Sequence, residues 1–179
     1  MILAIVAALA TAAPQTWTLD QSRSKVAYHL VHPAHRFGGT DQKLQGKARL
    51  LDDGTAQVQI LGMVKDFDSG NANRDEHMME TVEAEKFPNV KVKALMKLPP
   101  GQTGKEDGKA HVEANLHGVN QTLDVPLEVS FPSPGTAHIT GEFNESVEGF
   151  GIKRPTLLLV PIDDAMKITV DVWFTRDGA

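Results

Sequence analysis

Between Asp68 and Met79 the chain reads DSGNANRDEHMM, its densest run of groups able to move protons or bind a metal. The Asp75-Glu76-His77 triplet has residue types suited to a metal site or a general acid–base pair. Its spacing suits neither. Consecutive residues of a helix point about 100° apart, so the three side chains cannot converge on one ion. His77 and Glu80 share a face at i, i+3, but two ligands do not complete a site. Asp66-x-Asp68 lacks the glycine and the terminal glutamate of a calcium loop. The same residues make sound helix chemistry. Asn73 with Glu76 forms a capping-box-like pair, and Asp75 and Glu76 suit the positive end of a helix. Met78 and Val82 then share an apolar face, Gly70-Asn71 supplies a turn upstream, and the helix must stop before Pro88. A capped helix with methionines aimed at the core is expected here.

A second metal-capable set is His29, His32 and His35. On a strand a spacing of three alternates faces, so only a bend at Pro33 would gather the three rings. A metal-dependent enzyme or metal-binding protein built on this set therefore stays open as an alternative. His111 and His117 lie too far apart on one strand for a single ion at ~3.3 Å rise per residue. The chain has no Gly-x-Ser-x-Gly, P-loop, Gly-x-Gly-x-x-Gly or His-Glu-x-x-His pattern. It also has no cysteine, which excludes disulfides, thiolate zinc sites and cysteine nucleophiles. Asn120-Gln121-Thr122 and Asn144-Glu145-Ser146 match a glycosylation sequon, a short pattern that chance readily produces. No residue is assigned a catalytic or metal-binding role, and no cofactor is expected.

The elements that position these residues read as strands. With 179 residues the chain suits one domain with a real core. Its net charge of −5 and lack of a basic block argue against nucleic acid as a partner. The N-terminus, MILAIVAALATAAPQTW, carries an apolar run far shorter than the ~20 residues that span a bilayer. Followed by small-x-small steps, it reads as a signal peptide over residues 1–12, although the first basic residue is Arg23. A periplasmic or secreted protein is the corresponding expectation, with a barrel domain over residues 16–175.

Beyond residue 15, period-2 alternation dominates. Runs over 26–30, 44–50, 56–60, 90–98, 110–116, 123–131, 137–143 and 166–174 each place apolar residues on one parity and polar ones on the other. Eight such strands, separated by Gly- and Pro-rich turns, predict an antiparallel sheet closed into a barrel or folded into a sandwich. The inward parity is rich in small residues: Gly46, Ala48, Ala56, Ala94, Ala110, Ala114, Ala137 and Gly141. An eight-stranded barrel is just wide enough to be filled by side chains or to hold one ligand. Small inward residues favour the second outcome, while a filled-core structural or interaction domain remains the alternative. RPTLLLVPIDD, Arg154 to Asp164, does not alternate and reads as a buried strand or as a flap over a cavity mouth.

Three segments together resemble the YceI-like family of bacterial lipid- and polyisoprenoid-binding proteins, over roughly Trp17 to Phe174. They are WTLD with SKVAYHLVH near the start, FDSGNANRDEHMMETVEAEKFPNVKVKA in the middle, and the hairpin VEANLHGVNQTLDVPLEV. The resemblance implies an extended, lipocalin-like antiparallel barrel with one short helix, exported to the periplasm and holding a long isoprenoid or other amphiphile. Two segments depart from the family pattern, HPAHRFGGTDQKLQG and RPTLLLVPIDDAMKI. The resulting expectation is a mainly β, eight-stranded barrel that binds an apolar or amphipathic lipid without catalysing a reaction, for storage or transport. Its interior should be lined by Val26, Tyr28, Val92, Ala94, Val112, Ala114, Val125, Ile139, Ile168 and Val170. Tyr28 and Arg154 are the candidates to meet a polar head group, and transient membrane contact is a candidate interaction.

Overall fold

A computed structural model describes residues 14–98, 101, 103–157 and 159–178. The expected signal segment, residues 1–12, lies outside the described residues, as does Leu158. The strands are β1 (Gln15–Leu19), β2 (Lys25–His32), β3 (His35–Asp41), β4 (Gln45–Leu50), β5 (Thr55–Met63) and β6 (Asn89–Lys97). They continue as β7 (Gly104–Leu116), β8 (Val119–Ser133), β9 (Thr136–Ser146), β10 (Thr156–Leu157), β11 (Val160–Pro161) and β12 (Ala165–Arg176). One α-helix, α1 (Ala72–Thr81), stands between β5 and β6.

The main sheet runs β1-β4-β5-β6-β7-β8-β9-β12, and β12 pairs back onto β1. That last pairing closes an eight-stranded antiparallel barrel and leaves those strands without a free edge. Strand β12 is long enough to serve two partners on one side. Its end, Phe174 to Arg176, pairs with β1, while Lys167 to Asp171 pair with β2. A 3-10 turn at Gln21–Arg23 carries the chain from one pairing to the next. Asp20 caps that turn by accepting from Ser22 N at 3.1 Å, and its other oxygen accepts from Arg23 Nε at 2.7 Å. The hairpin β2–β3 thus extends one side of the barrel wall. Its outer edge is met by the chain after β5, where Thr40 and Asp68 exchange backbone hydrogen bonds of 2.9 and 3.0 Å.

The alternation expected from the sequence matches β2, β4 to β9 and β12. Strands β1 and β3 were not among the eight runs. The Gly38-Gly39 pair, which broke the pattern there, is what lets β3 fold back on β2. A Cβ at Gly38 would collide with the Tyr28 carbonyl, and one at Gly39 would sit 2.8 Å from the Tyr28 ring.

The helix start also differs from expectation. Asn71, not Asn73, is the cap, accepting from Arg74 N at 3.1 Å. Gly70, at φ +74°, turns the chain there, and Asp68 Oδ1 accepts from Gly70 N at 2.7 Å. With the turn fixed two residues early, Asn73 falls inside the helix and the Asn73–Glu76 box does not form. The residues RPTLLLVPIDD are not a buried strand: they make the small β10–β11 hairpin outside the barrel sheet, with Leu159 96% exposed and Val160 42% exposed.

Candidate functional site

Inward-facing residues of every barrel strand surround a cavity of about 580 Å³ with almost wholly apolar walls. Its floor is packed solid. Trp17 meets Phe131 edge-on at 6.4 Å between ring centres, and Phe174, Val172 and Ala137 complete that cluster. The far end lies beneath Leu30, Val147, Phe150, Ile152 and Met166, which form a second apolar cluster with Val82.

The cavity exists because the inward rows carry too little side chain to meet in the middle. Ala48, Ala56, Ala94, Ala110, Ala114 and Ala137 all lie on its wall. The two inward glycines do not. Leu19 occupies the space beside Gly46, where a Cβ would come within 2.9 Å of Leu19 Cδ1. Leu127 closes the space beside Gly141 in the same way. The small residues therefore divide into four half-buried alanines that open onto the void, Ala110 and Ala137 that are packed within apolar clusters beside it, and two glycines plugged by a leucine from another strand.

All ten residues expected to line the interior, Val26, Tyr28, Val92, Ala94, Val112, Ala114, Val125, Ile139, Ile168 and Val170, lie on the cavity wall. Several, such as Val92, Ala94 and Ile168, are only half-buried although their strands point them inward, since they face the void. The Tyr28 ring packs against Phe67 at 5.7 Å between centres. Burial pushes the Tyr28 phenol up to about 12, with Asp75 raising it further and Arg74 lowering it.

Arg154 is placed elsewhere. Its Nε donates to Glu148 Oε1 at 2.8 Å and its Nη1 to the Ile162 carbonyl at 3.0 Å, and it is not a wall residue. It braces the segment leading into the β10–β11 hairpin instead. The cations on the wall are Arg49, near the end of β4, and Arg74, on a face of α1 that also presents His77, Met78 and Thr81 and continues to Val82. The spacing 74, 77/78, 81/82 is one helical stripe. That period was available in the sequence. Met79 lies off this stripe.

The three histidines do not converge. His32 and His35 face each other across the β2–β3 turn with ring centres 5.5 Å apart, while His29 is exposed on the opposite parity. Both His32 ring nitrogens are occupied. Ala34 N donates to Nδ1 at 3.1 Å, so Nε2 carries the proton and donates to the Val160 carbonyl at 3.2 Å. His32 is thereby a strut that ties the β10–β11 hairpin to the barrel. Among the described residues no group of three or more His, Cys, Asp or Glu side chains is placed to hold a metal.

Phe37 and Glu145 are among the wall residues outside the expected set. Phe37, on β3, could have been found by extending the alternation across Gly38-Gly39. Glu145 could have been found by extending β9 two residues past Phe143 on the same parity; it was instead grouped with a sequon. Among the described residues its carboxyl has no hydrogen bond or ion pair, and partial burial pushes its pKa up.

A family model described as a YceI-like domain matches residues 17–174. No curated protein matches the sequence significantly. Among solved structures, a polyisoprenoid binding domain from Saccharophagus degradans, implicated in plant cell wall breakdown, is similar at 14% identity and a TM-score of 0.74. The match covers 89% of this chain and 98% of that one. Burkholderia cenocepacia BcnA is similar at 17% identity and a TM-score of 0.68, over 87% of this chain and 98% of that one. A Campylobacter jejuni YCEI protein is similar at 14% identity and a TM-score of 0.56, over 69% and 73% of the two chains.

Proposed function

The chain belongs to the YceI-like domain family, and we propose that it is an exported, non-enzymatic protein that carries or stores an apolar or amphipathic lipid inside its barrel. The observation that supports this reading is the closed barrel around an apolar void of about 580 Å³. Burying an alkyl or isoprenoid chain there removes its surface from water at roughly 25 cal/mol per Å². At about 30 Å³ per water-sized group, the void holds roughly 20 non-hydrogen atoms. A short isoprenoid chain meets that size, in line with the polyisoprenoid binding of the Saccharophagus neighbour.

The periplasmic or secreted location expected from the N-terminal apolar segment belongs to the same proposal. Contact with a membrane does too, because a ligand of this kind resides there. Leu159 and Val160 project from the hairpin whose base residues, Pro155, Thr156 and Ile162, line the cavity. Exposed apolar residues on a hairpin rooted in the cavity wall suit a surface that touches a bilayer during transfer.

The reading is tested by purifying the protein from its membrane-containing host, extracting with organic solvent and identifying the extract by mass spectrometry. A fluorescent apolar probe, displaced by short isoprenoids from the delipidated protein, supplies the second measurement. If no apolar molecule is extracted and no isoprenoid displaces the probe, the carrier reading falls.

A further inference from the structure

The lipid-carrier reading leaves the ligand's polar end undefined, and the wall carries a group whose chemistry bears on it. Glu145 belongs to the inward row of β9 with Phe143, and Val147 follows just past the strand end. It pairs in register with Met166 on β12, whose neighbouring Ile168 and Lys167 pair with Tyr28 and His29 of β2. Its surroundings are therefore Phe143, Val147, Met166 and the apolar cluster of Phe150 and Ile152 at that end of the cavity. No donor on any of these residues answers its carboxylate. Asp164, by contrast, accepts from Ser146 Oγ at 2.7 Å and from Glu148 N at 2.8 Å. Glu145 is half-buried, and a carboxylate that is partly desolvated among apolar side chains without a partner is less well stabilised than one in open water. Such groups concentrate where a ligand supplies the missing partner.

The charges that α1 brings to the wall do not favour an anionic ligand. Arg74 lies on the wall, but Asp75 is next to it on α1, and at the Tyr28 hydroxyl the influence of Asp75 exceeds that of Arg74. His77, also on the wall, has Glu80 Oε2 3.4 Å from its Nδ1. Arg74 and His77 thus each have an acid beside them; among the described residues Arg49 on β4 does not, and Glu145 pairs with no cation. The whole chain carries −5.

We propose that Glu145 anchors the polar end of the ligand, selecting amphiphiles whose end group donates a hydrogen bond, such as an alcohol or an ammonium, over those ending in a carboxylate or phosphate. The proposal rests on the carrier reading above. One hydrogen bond to a charged acceptor supports about a tenfold difference in affinity.

The test uses one isoprenoid chain with different ends: geranylgeraniol, the corresponding amine, acid and diphosphate, and the parent hydrocarbon. Each displaces a fluorescent apolar probe from the delipidated native protein, E145Q and E145L. The native protein should hold the alcohol and the amine about tenfold more tightly than the acid and the diphosphate. E145Q, still an acceptor, should keep the alcohol and lose the amine preference. E145L should lose both preferences while holding the hydrocarbon at least as well as the native protein. Equal affinities for all ends, or preferences that survive in E145L, overturn the role of Glu145. If hydrocarbon binding persists in that case, the carrier reading survives; if no compound displaces the probe from the native protein, both readings fall together.

Discussion

Replacing Ala94 with phenylalanine separates a hollow barrel from a filled one by the sign of a stability change. Ala94 faces inward between Val58 on β5 and Val112 on β7 and lies on the cavity wall. The substitution adds six ring carbons. At about 30 Å³ each they occupy about 180 Å³, close to a third of the 580 Å³ void. The new ring gains apolar contact without displacing a neighbour, so the ligand-free protein should be unchanged or more stable by about 1 kcal/mol. For a chain of this size that is a rise in Tm of about 2–4 °C. In a solid core the same change is overpacking, which destabilises by about 1–3 kcal/mol.

Gly141→Ala is the internal control. It lies on the same inward parity, but Leu127 already fills the space beside it. Adding one methyl there should lower Tm, while adding a whole ring at Ala94 should not. Calorimetry on delipidated A94F and G141A gives the comparison, and probe displacement on A94F should show isoprenoid binding weakened at least tenfold. A fall in Tm for A94F comparable to that for G141A would refute the hollow interior and restore the filled-core alternative.

The chain's single tyrosine makes the cavity wall directly readable. Because burial holds the Tyr28 phenol at about 12, the phenolate absorbance of the native protein should titrate near there, and near 10 once unfolded. The neutral phenol persists in the fold while the unfolded chain ionises. Stability therefore falls by ~1.4 kcal/mol per unit as pH rises from about 10 to about 12, and Y28F should abolish that component. A native midpoint near 10 would place the hydroxyl in water. At the helix start, N71A should cost about 1 kcal/mol in thermal melts and N73A almost nothing, because only Asn71 accepts from Arg74 N. A larger loss for N73A would return the cap to Asn73. For membrane contact, L159E should reduce co-sedimentation with phospholipid vesicles while leaving probe affinity in solution unchanged. Undiminished sedimentation would exclude the hairpin tip as the contact.

What the sequence made legible follows the range of the forces involved. Strand parity is local, so Val26, Val92, Val112 and Ile168 could be placed on the inner wall from alternation alone. Barrel closure is not local. It depends on β12 serving β1 and β2 along one edge, and nothing in either short strand announces that division. The helix cap was missed by two residues because two asparagines offered the same chemistry. The turn at Gly70, held by Asp68, decided between them. Arg154 was favoured as a head-group contact because it is a cation near an apolar run, yet Glu148, six residues earlier, takes its charge. Hollowness is the least local property of all. Ala94 and Gly141 look alike in sequence, and only a leucine on a neighbouring strand makes one an opening and the other a filled position.

The same reasoning sorts the polar groups of the interior. A buried polar residue that completes its hydrogen bonds within the protein is a structural element, as His32 shows by joining Ala34 and Val160. An incomplete one is a candidate for ligand contact only if it also meets open volume. Asp41 demonstrates why both conditions are needed. Its Oδ1 accepts from Lys43 N at 2.7 Å, its Oδ2 has no partner, and burial pushes its carboxyl up. Yet that free oxygen faces the gap left by Gly62 beside Leu44, and Asp41 is not on the cavity wall. No ligand end can reach it there, so the unmet bond is a cost of the β3 terminus. Glu145, half-buried and without a partner among the described residues, does lie on the wall. The ligand's end group is therefore selected where an unmet bond and open space coincide, and the apolar rows of the barrel select only its length.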